Sequence, residues 1–171
     1  MSASMKRIIS YFVFFLLIYA VLAEDTRCYE LRVYTAAEGK LEALNARFRN
    51  HTCKLFEKYG LTNVGYWVPS DKSDNRLIYV ISSPNRSAHT ESFKAFLNDP
   101  DWKKAYAAST KNGRLVAKID STFMSATDYS PAVKSVITEK NRVFELRTYT
   151  TAPNRLKNLH ARFRDHTCEI F

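Results

Sequence analysis

The chain has 171 residues, a net charge of +9 and 26 Lys and Arg set against 17 Asp and Glu. The basic residues are scattered among the acidic ones with no run of five like charges, which excludes a nucleic-acid-binding arm. The charge reads instead as solubility with a mild attraction to anions.

Residues 1–23 read as a targeting segment. Lys6 and Arg7 form a short basic start, and Ile8 to Leu22 runs fifteen residues without a charge. As a helix that run spans about 22 Å, short of the roughly 30 Å of a bilayer core and suited to the apolar part of a Sec signal. Val21-Leu22-Ala23 places small or modest residues for cleavage after Ala23. The expected location is periplasmic or extracellular, with membrane contact only through the signal before cleavage; an uncleaved anchor is the competing reading. Removal of the 23 leaves 148 residues and a net charge of +7, enough for one ordinary domain or one and a half small ones.

The next elements fall into a regular order. Tyr29–Thr35 alternates, with Tyr29, Leu31 and Val33 on one face and Glu30, Arg32 and Tyr34 on the other, the period of a strand. After a turn at Ala36–Gly39, Lys40 to Tyr59 carries Leu41, Leu44, Phe48, Thr52, Leu55 and Tyr59 at three-four spacing, a helix with one core-facing stripe closed by Gly60. Thr62–Val68 and Arg76–Ser82 read as strands around the polar turn Ser70–Asn75. Ala88–Ala108 reads as helix interrupted at Asn98-Asp99-Pro100, with Phe93, Phe96, Leu97, Trp102 and Tyr106 on its apolar side. Arg114–Ala126 reads as a fourth strand, and 129–142, with Pro131, as a linker.

Residues 143–171 repeat the beginning. Tyr29–Phe56 and Phe144–Phe171 align at a constant offset of 115, and 16 of 28 positions are identical. The chain is therefore read as a unit at 24–128, a linker at 129–142 and an incomplete second copy at 143–171, a strand and a helix only. Because such a half-unit lacks partners for its apolar faces, the sequence reads as a fragment or a truncated form.

The fold class expected is α+β, in the order β-α-β-β-α-β, with both helices on one sheet face. The other face then needs a cover, most simply a second sheet.

Tyr29-Glu30-Leu31-Arg32-Val33-Tyr34, the helix carrying Arg-Phe-Arg-Asn-His-Thr, Val64-Gly65-Tyr66-Trp67 and Asp99-Pro100-Asp101-Trp102 together resemble the NIPSNAP family. The resemblance implies a ferredoxin-like unit of the dimeric α/β-barrel type, two units pairing sheet to sheet. It implies no agreed chemistry, and the Sec-like start sets this chain apart from the mitochondrial members.

The candidate site residues are few. His51 lies four residues after Arg47, which would put both on one helix flank; the pair recurs as Arg162 and His166. A histidine beside an arginine suits an anionic ligand or a proton transfer, and a helix-seam role competes with it. Glu30, Arg32 and Tyr34 share a strand face; if Leu31 faces the helices, these three face the other sheet and line a lumen, either as a structural ion pair or as a ligand site. Trp67 ends the second strand as a packing or pocket-shaping aromatic. Cys53 is about 200° from His51 on the helix, so the two do not form a metal or nucleophile pair. Cys28, Cys53 and Cys168 read as free thiols, with a Cys28–Cys53 disulfide as the alternative. No Gly-rich phosphate loop, nucleophile elbow, HExxH or zinc spacing occurs, so no metal or cofactor is expected.

The leading functional reading is an exported binding module for a small ligand, an anion among the candidates, or for a protein, self-associating or pseudo-dimeric through the sheet face. The alternative is a cofactor-independent monooxygenase- or isomerase-like enzyme, with His51 as acid or base and Arg47 as anion anchor.

Overall fold

The structure is a computed structural model that describes residues 25–131, 133 and 142–171. Residues 1–23, read above as a targeting segment, and most of residues 129–142, read as a linker, lie outside the described residues. Among the described residues, no helix is long and apolar enough to cross a membrane.

Four strands, β1 (Cys28–Ala36), β2 (Thr62–Trp67), β3 (Arg76–Ser83) and β4 (Val116–Ser125), form one sheet in the order β2-β3-β1-β4. Every neighbouring pair is antiparallel. Between β1 and β2 runs a helical segment of three parts: α1 (Leu41–Arg47), a π turn (Phe48–Thr52) and α2 (Cys53–Lys58). Between β3 and β4 lie α3 (Arg86–Asn98) and α4 (Pro100–Thr110). This is the α+β, ferredoxin-like order expected from the sequence.

Local chemistry sets the boundaries. Gly39, at φ 65°, makes the left-handed step out of β1 that a side chain with a Cβ rarely adopts. Asn85 caps α3 by accepting from the Ala88 N–H at 2.9 Å. Asp99 caps α4, accepting from the N–H groups of Asp101 and Trp102, with Pro100 in the first turn. The same Asp99 accepts from Lys58 Nζ at 2.6 Å and Tyr59 Oη at 2.7 Å, which ties the end of α2 to the α3–α4 corner.

The core lies between the sheet and the helices. Tyr34, Leu77, Tyr79 and Ile81 from the strands meet Leu44, Phe48, Leu55, Phe56 and Phe96 from the helices. The aromatic rings pack edge to face, as at Phe56–Phe96, 4.7 Å between centroids.

This packing corrects the strand-face assignment. Leu31 does not face the helices; Glu30, Arg32 and Tyr34 do. Leu31 instead shares the opposite face with Trp67, Ile78 and Val80. The reason is that Glu30 and Arg32 find buried partners on the helix side, so their charge does not force them outward.

The second copy preserves local geometry but not the sheet. The helix α5 (Leu156–Arg162), a π turn (Phe163–Thr167) and α6 (Cys168–Ile170) repeat the first helical segment. Asn154, 115 residues after Gly39, has φ 61°, the same left-handed step. Residues 142–150 form no strand, contrary to the expected β-α half-unit. The reason is that β1 pairs with β3 and β4, and no counterparts of those strands lie beside residues 142–150 among the described residues. Phe144 rests on Trp67, 5.7 Å between ring centroids.

Candidate functional site

A cleft of about 450 Å³ opens between the helix-facing side of β1 and β4 and the helices α1, α3 and α4. Aromatic side chains wall it: Tyr34, Phe48, Phe93, Trp102 and Tyr106. Three cations line it: Arg32 from β1, Arg47 from α1 and Lys118 from β4, the last paired with Asp120 at 2.9 Å.

Arg47 is 6% exposed and has no acidic partner among the described residues. Its guanidinium lies 5.3 Å from the ring centroids of both Trp102 and Tyr106 and donates from Nη1 to Ser109 Oγ at 3.3 Å. Its Nε is buried with no hydrogen-bond partner. Burial pushes the Arg47 pKa below its ordinary value, and the neighbouring tyrosines oppose that shift. At neutral pH the group remains a cation, so the cleft contains a buried positive charge compensated only by ring faces and one hydroxyl.

Arg32 is different because it is paired. Its Nη1 donates to Glu30 Oε1 at 2.8 Å, and its guanidinium sits 4.7 Å from the Phe93 ring centroid. Glu30 Oε1 also accepts from Ser121 Oγ on β4 at 2.5 Å. Glu30 Oε2 lies 2.9 Å from His89 Nε2, an ion-pair separation whose angles fall short of a good hydrogen bond. Burial pushes the Glu30 carboxyl up, and His89, Ser121 and Arg32 together outweigh burial and leave it below the ordinary value. Glu30, Arg32 and His89 floor a second lobe of about 350 Å³, rimmed by Arg86, Lys94 and Phe123; Arg32, Phe93 and Leu97 line both lobes.

The sequence-derived candidates therefore divide. Arg47, Arg32 and Tyr34 meet in the first lobe, and Glu30 floors the second. His51 lies outside both lobes and is exposed, which corrects its expected pairing with Arg47 on one helix flank. A π turn runs through this stretch, and within it Phe48 and Thr52 are buried, the Thr52 hydroxyl donating to the Arg47 carbonyl at 3.4 Å, while His51 is left in solvent. Trp67 is on the other side of the sheet and shapes neither lobe. His89 is the functional candidate that the sequence reading missed. Its signal was present, because His89, Phe93 and Phe96 share the i, i+4, i+7 stripe of α3.

Cys28 and Cys53 are free and half-buried, and Cys168 is free and exposed. Burial raises the Cys53 thiol pKa, which suits a packed thiol and not a nucleophile. Among the described residues no group of three His, Cys, Asp or Glu side chains is arranged to hold a metal ion.

Fold and site together define a ferredoxin-like α+β unit with a cationic, aromatic-walled cleft between helices and sheet. The NIPSNAP family model matches residues 29–131, and the chain belongs to that family. Solved structures agree on the fold. A NIPSNAP-like domain protein from Burkholderia xenovorans aligns at TM-score 0.56 and 11% identity, covering 68% of this chain and 99% of its own. A second NIPSNAP domain protein from the same organism aligns at TM-score 0.54 and 15% identity, over 61% of this chain and 99% of its own. A NIPSNAP family protein of unknown function from Agrobacterium tumefaciens aligns at TM-score 0.55 and 17% identity, over 63% and 94%. No curated protein matches the chain.

Proposed function

We propose that this chain is a binding module for small molecules that combine an aromatic or apolar body with one anionic group. The observation that carries the reading is Arg47, a buried cation with no carboxylate partner among the described residues, set against Trp102 and Tyr106 in a ligand-sized cleft. Removing a guanidinium from water without an anion is costly. A carboxylate, sulfonate or phosphate entering the cleft supplies the missing charge, and the ring walls supply the apolar contact. The basic start followed by fifteen uncharged residues favours action in an exported compartment. The apolar sheet face bearing Leu31, Ile78 and Val80 favours pairing of two copies.

The test uses 2-naphthoate, with naphthalene as the uncharged control. A Trp67→Phe background leaves Trp102 as the one tryptophan, so its fluorescence reports the cleft. Naphthoate should quench it saturably and naphthalene at least tenfold more weakly. Arg47→Met should weaken naphthoate by tenfold or more, about 1.4 kcal/mol, and leave naphthalene unchanged. Equal binding of naphthoate by both proteins would refute the reading.

A further inference from the structure

The second lobe contains a pair of groups that the binding reading does not use. His89 is 4% exposed and Glu30 is 2% exposed. The His89 ring is fixed in place: it stacks on Phe93 at 5.8 Å and 12°, and meets Phe123 edge-on at 5.1 Å and 90°. Nε2 lies 2.9 Å from Glu30 Oε2, an ion-pair separation without good hydrogen-bond angles. Glu30 is in turn held by Ser121 and Arg32. This places a buried imidazole against a carboxylate that is itself held in position: Nε2 faces Glu30, so Nδ1 is the ring nitrogen left to exchange a proton.

The two lobes meet at Arg32, Phe93 and Leu97. A ligand whose carboxylate turns toward Arg47 can therefore present its other end to the junction where Arg32 and the second lobe begin. We infer that the Glu30–His89 pair is a proton-transfer site acting on aryl-2-oxo acids bound in the cleft, with His89 as the catalytic base, Glu30 as its positioning residue and Arg32 facing the developing oxyanion. This rests on the binding reading for the carboxylate end only.

The step balances without a co-reactant. The C–H bond beside the ketone breaks and its proton goes to Nδ1 of His89. The electron pair forms the C=C bond of an enolate whose negative charge falls on the former ketone oxygen, toward Arg32. Return of the proton from the imidazolium to carbon, or to oxygen, gives the keto or the enol form. Glu30 stays ionised because its folded pKa is lowered, so it balances the imidazolium while that lasts.

The experiment follows the benzylic protons of phenylpyruvate by NMR in D₂O. The whole chain should accelerate their exchange over buffer by a hundredfold or more. His89→Gln, near-isosteric, should abolish that acceleration while its circular dichroism and its naphthoate affinity match the parent. Arg47→Met should raise KM for exchange with a smaller effect on kcat. Naphthoate binding that depends on Arg47, without accelerated exchange, would overturn this inference and leave the binding reading intact. Exchange unaffected by His89→Gln would overturn it as well. Exchange that needs His89 without Arg47-dependent naphthoate binding would support this inference and refute the binding reading.

Discussion

Leu31 of β1 stands directly opposite Val80 of β3 in the antiparallel ladder, on the sheet face away from the helices. Both are half-buried, and their neighbours on that face include Ile78 and Trp67. Residues 142–146 of the same chain lie against part of this face, with Phe144 on Trp67, and the rest of an apolar sheet face of this kind still needs a cover. The expected outcome is a dimer in sedimentation velocity, with Val80→Lys weakening association at least tenfold and leaving the circular dichroism unchanged. A monomer for both proteins at the same concentration would remove the sheet-face pairing.

Glu30 connects β1 to α3 and β4 at once, through His89 and Ser121, while Arg32 closes the group on its own strand. Glu30→Gln keeps the shape and removes the charge, leaving Arg32 buried without its counter-ion. The expected loss is about 3–5 kcal/mol in urea unfolding at pH 7, far more than a surface pair would give. A loss under about 1 kcal/mol would mean the network is solvated.

Much of this was legible in the sequence because periodicity and breakers report backbone state. Pro100 after Asp99, Gly39 and the alternation of Tyr29–Thr35 each marked an element that the structure contains. The strand-face assignment was not legible. Alternation says which residues share a face but not which face is buried, and the charges of Glu30 and Arg32 pointed the wrong way until His89 and Ser121 were seen opposite them. The His51 placement failed because four-residue spacing says only that two side chains are neighbours: Phe48 and Thr52 hold the core-facing positions, Arg47 is buried against Trp102 and Tyr106, and His51 is left in solvent.

Gly65 sits where the β2–β3 register shifts, and the Trp67 indole folds back over it. A Cβ at this position would meet the ring, so Gly65→Ala must move Trp67 off its seat and away from Phe144. In a Trp102→Phe background, Trp67 emission should shift to the red, with a stability loss of about 1 kcal/mol or less, because the displaced ring is at the surface. Unchanged emission would show that the indole does not rest there in solution.

Asp99 separates two jobs that one substitution can tell apart. Its Oδ1 accepts from the N–H groups at the start of α4, and its Oδ2 accepts from Lys58 and Tyr59. Asn serves nearly as well as Asp at a helix N-cap, so Asp99→Asn retains the cap and loses only the charge. Hydrogen bonds from Lys58 and then Tyr59 hold the folded carboxyl well below its ordinary 3.8. A group depressed in the folded state contributes stability that is fully present above its unfolded pKa and is lost as pH falls through the folded value. The wild-type chain should therefore exceed Asp99→Asn in urea midpoint at pH 7, and the two midpoints should converge as the pH drops below about 4, the unfolded carboxyl value. Curves that stay parallel down to the acid limit would mean that Lys58 and Tyr59 do not engage the carboxylate, and that Asp99 acts only as a cap.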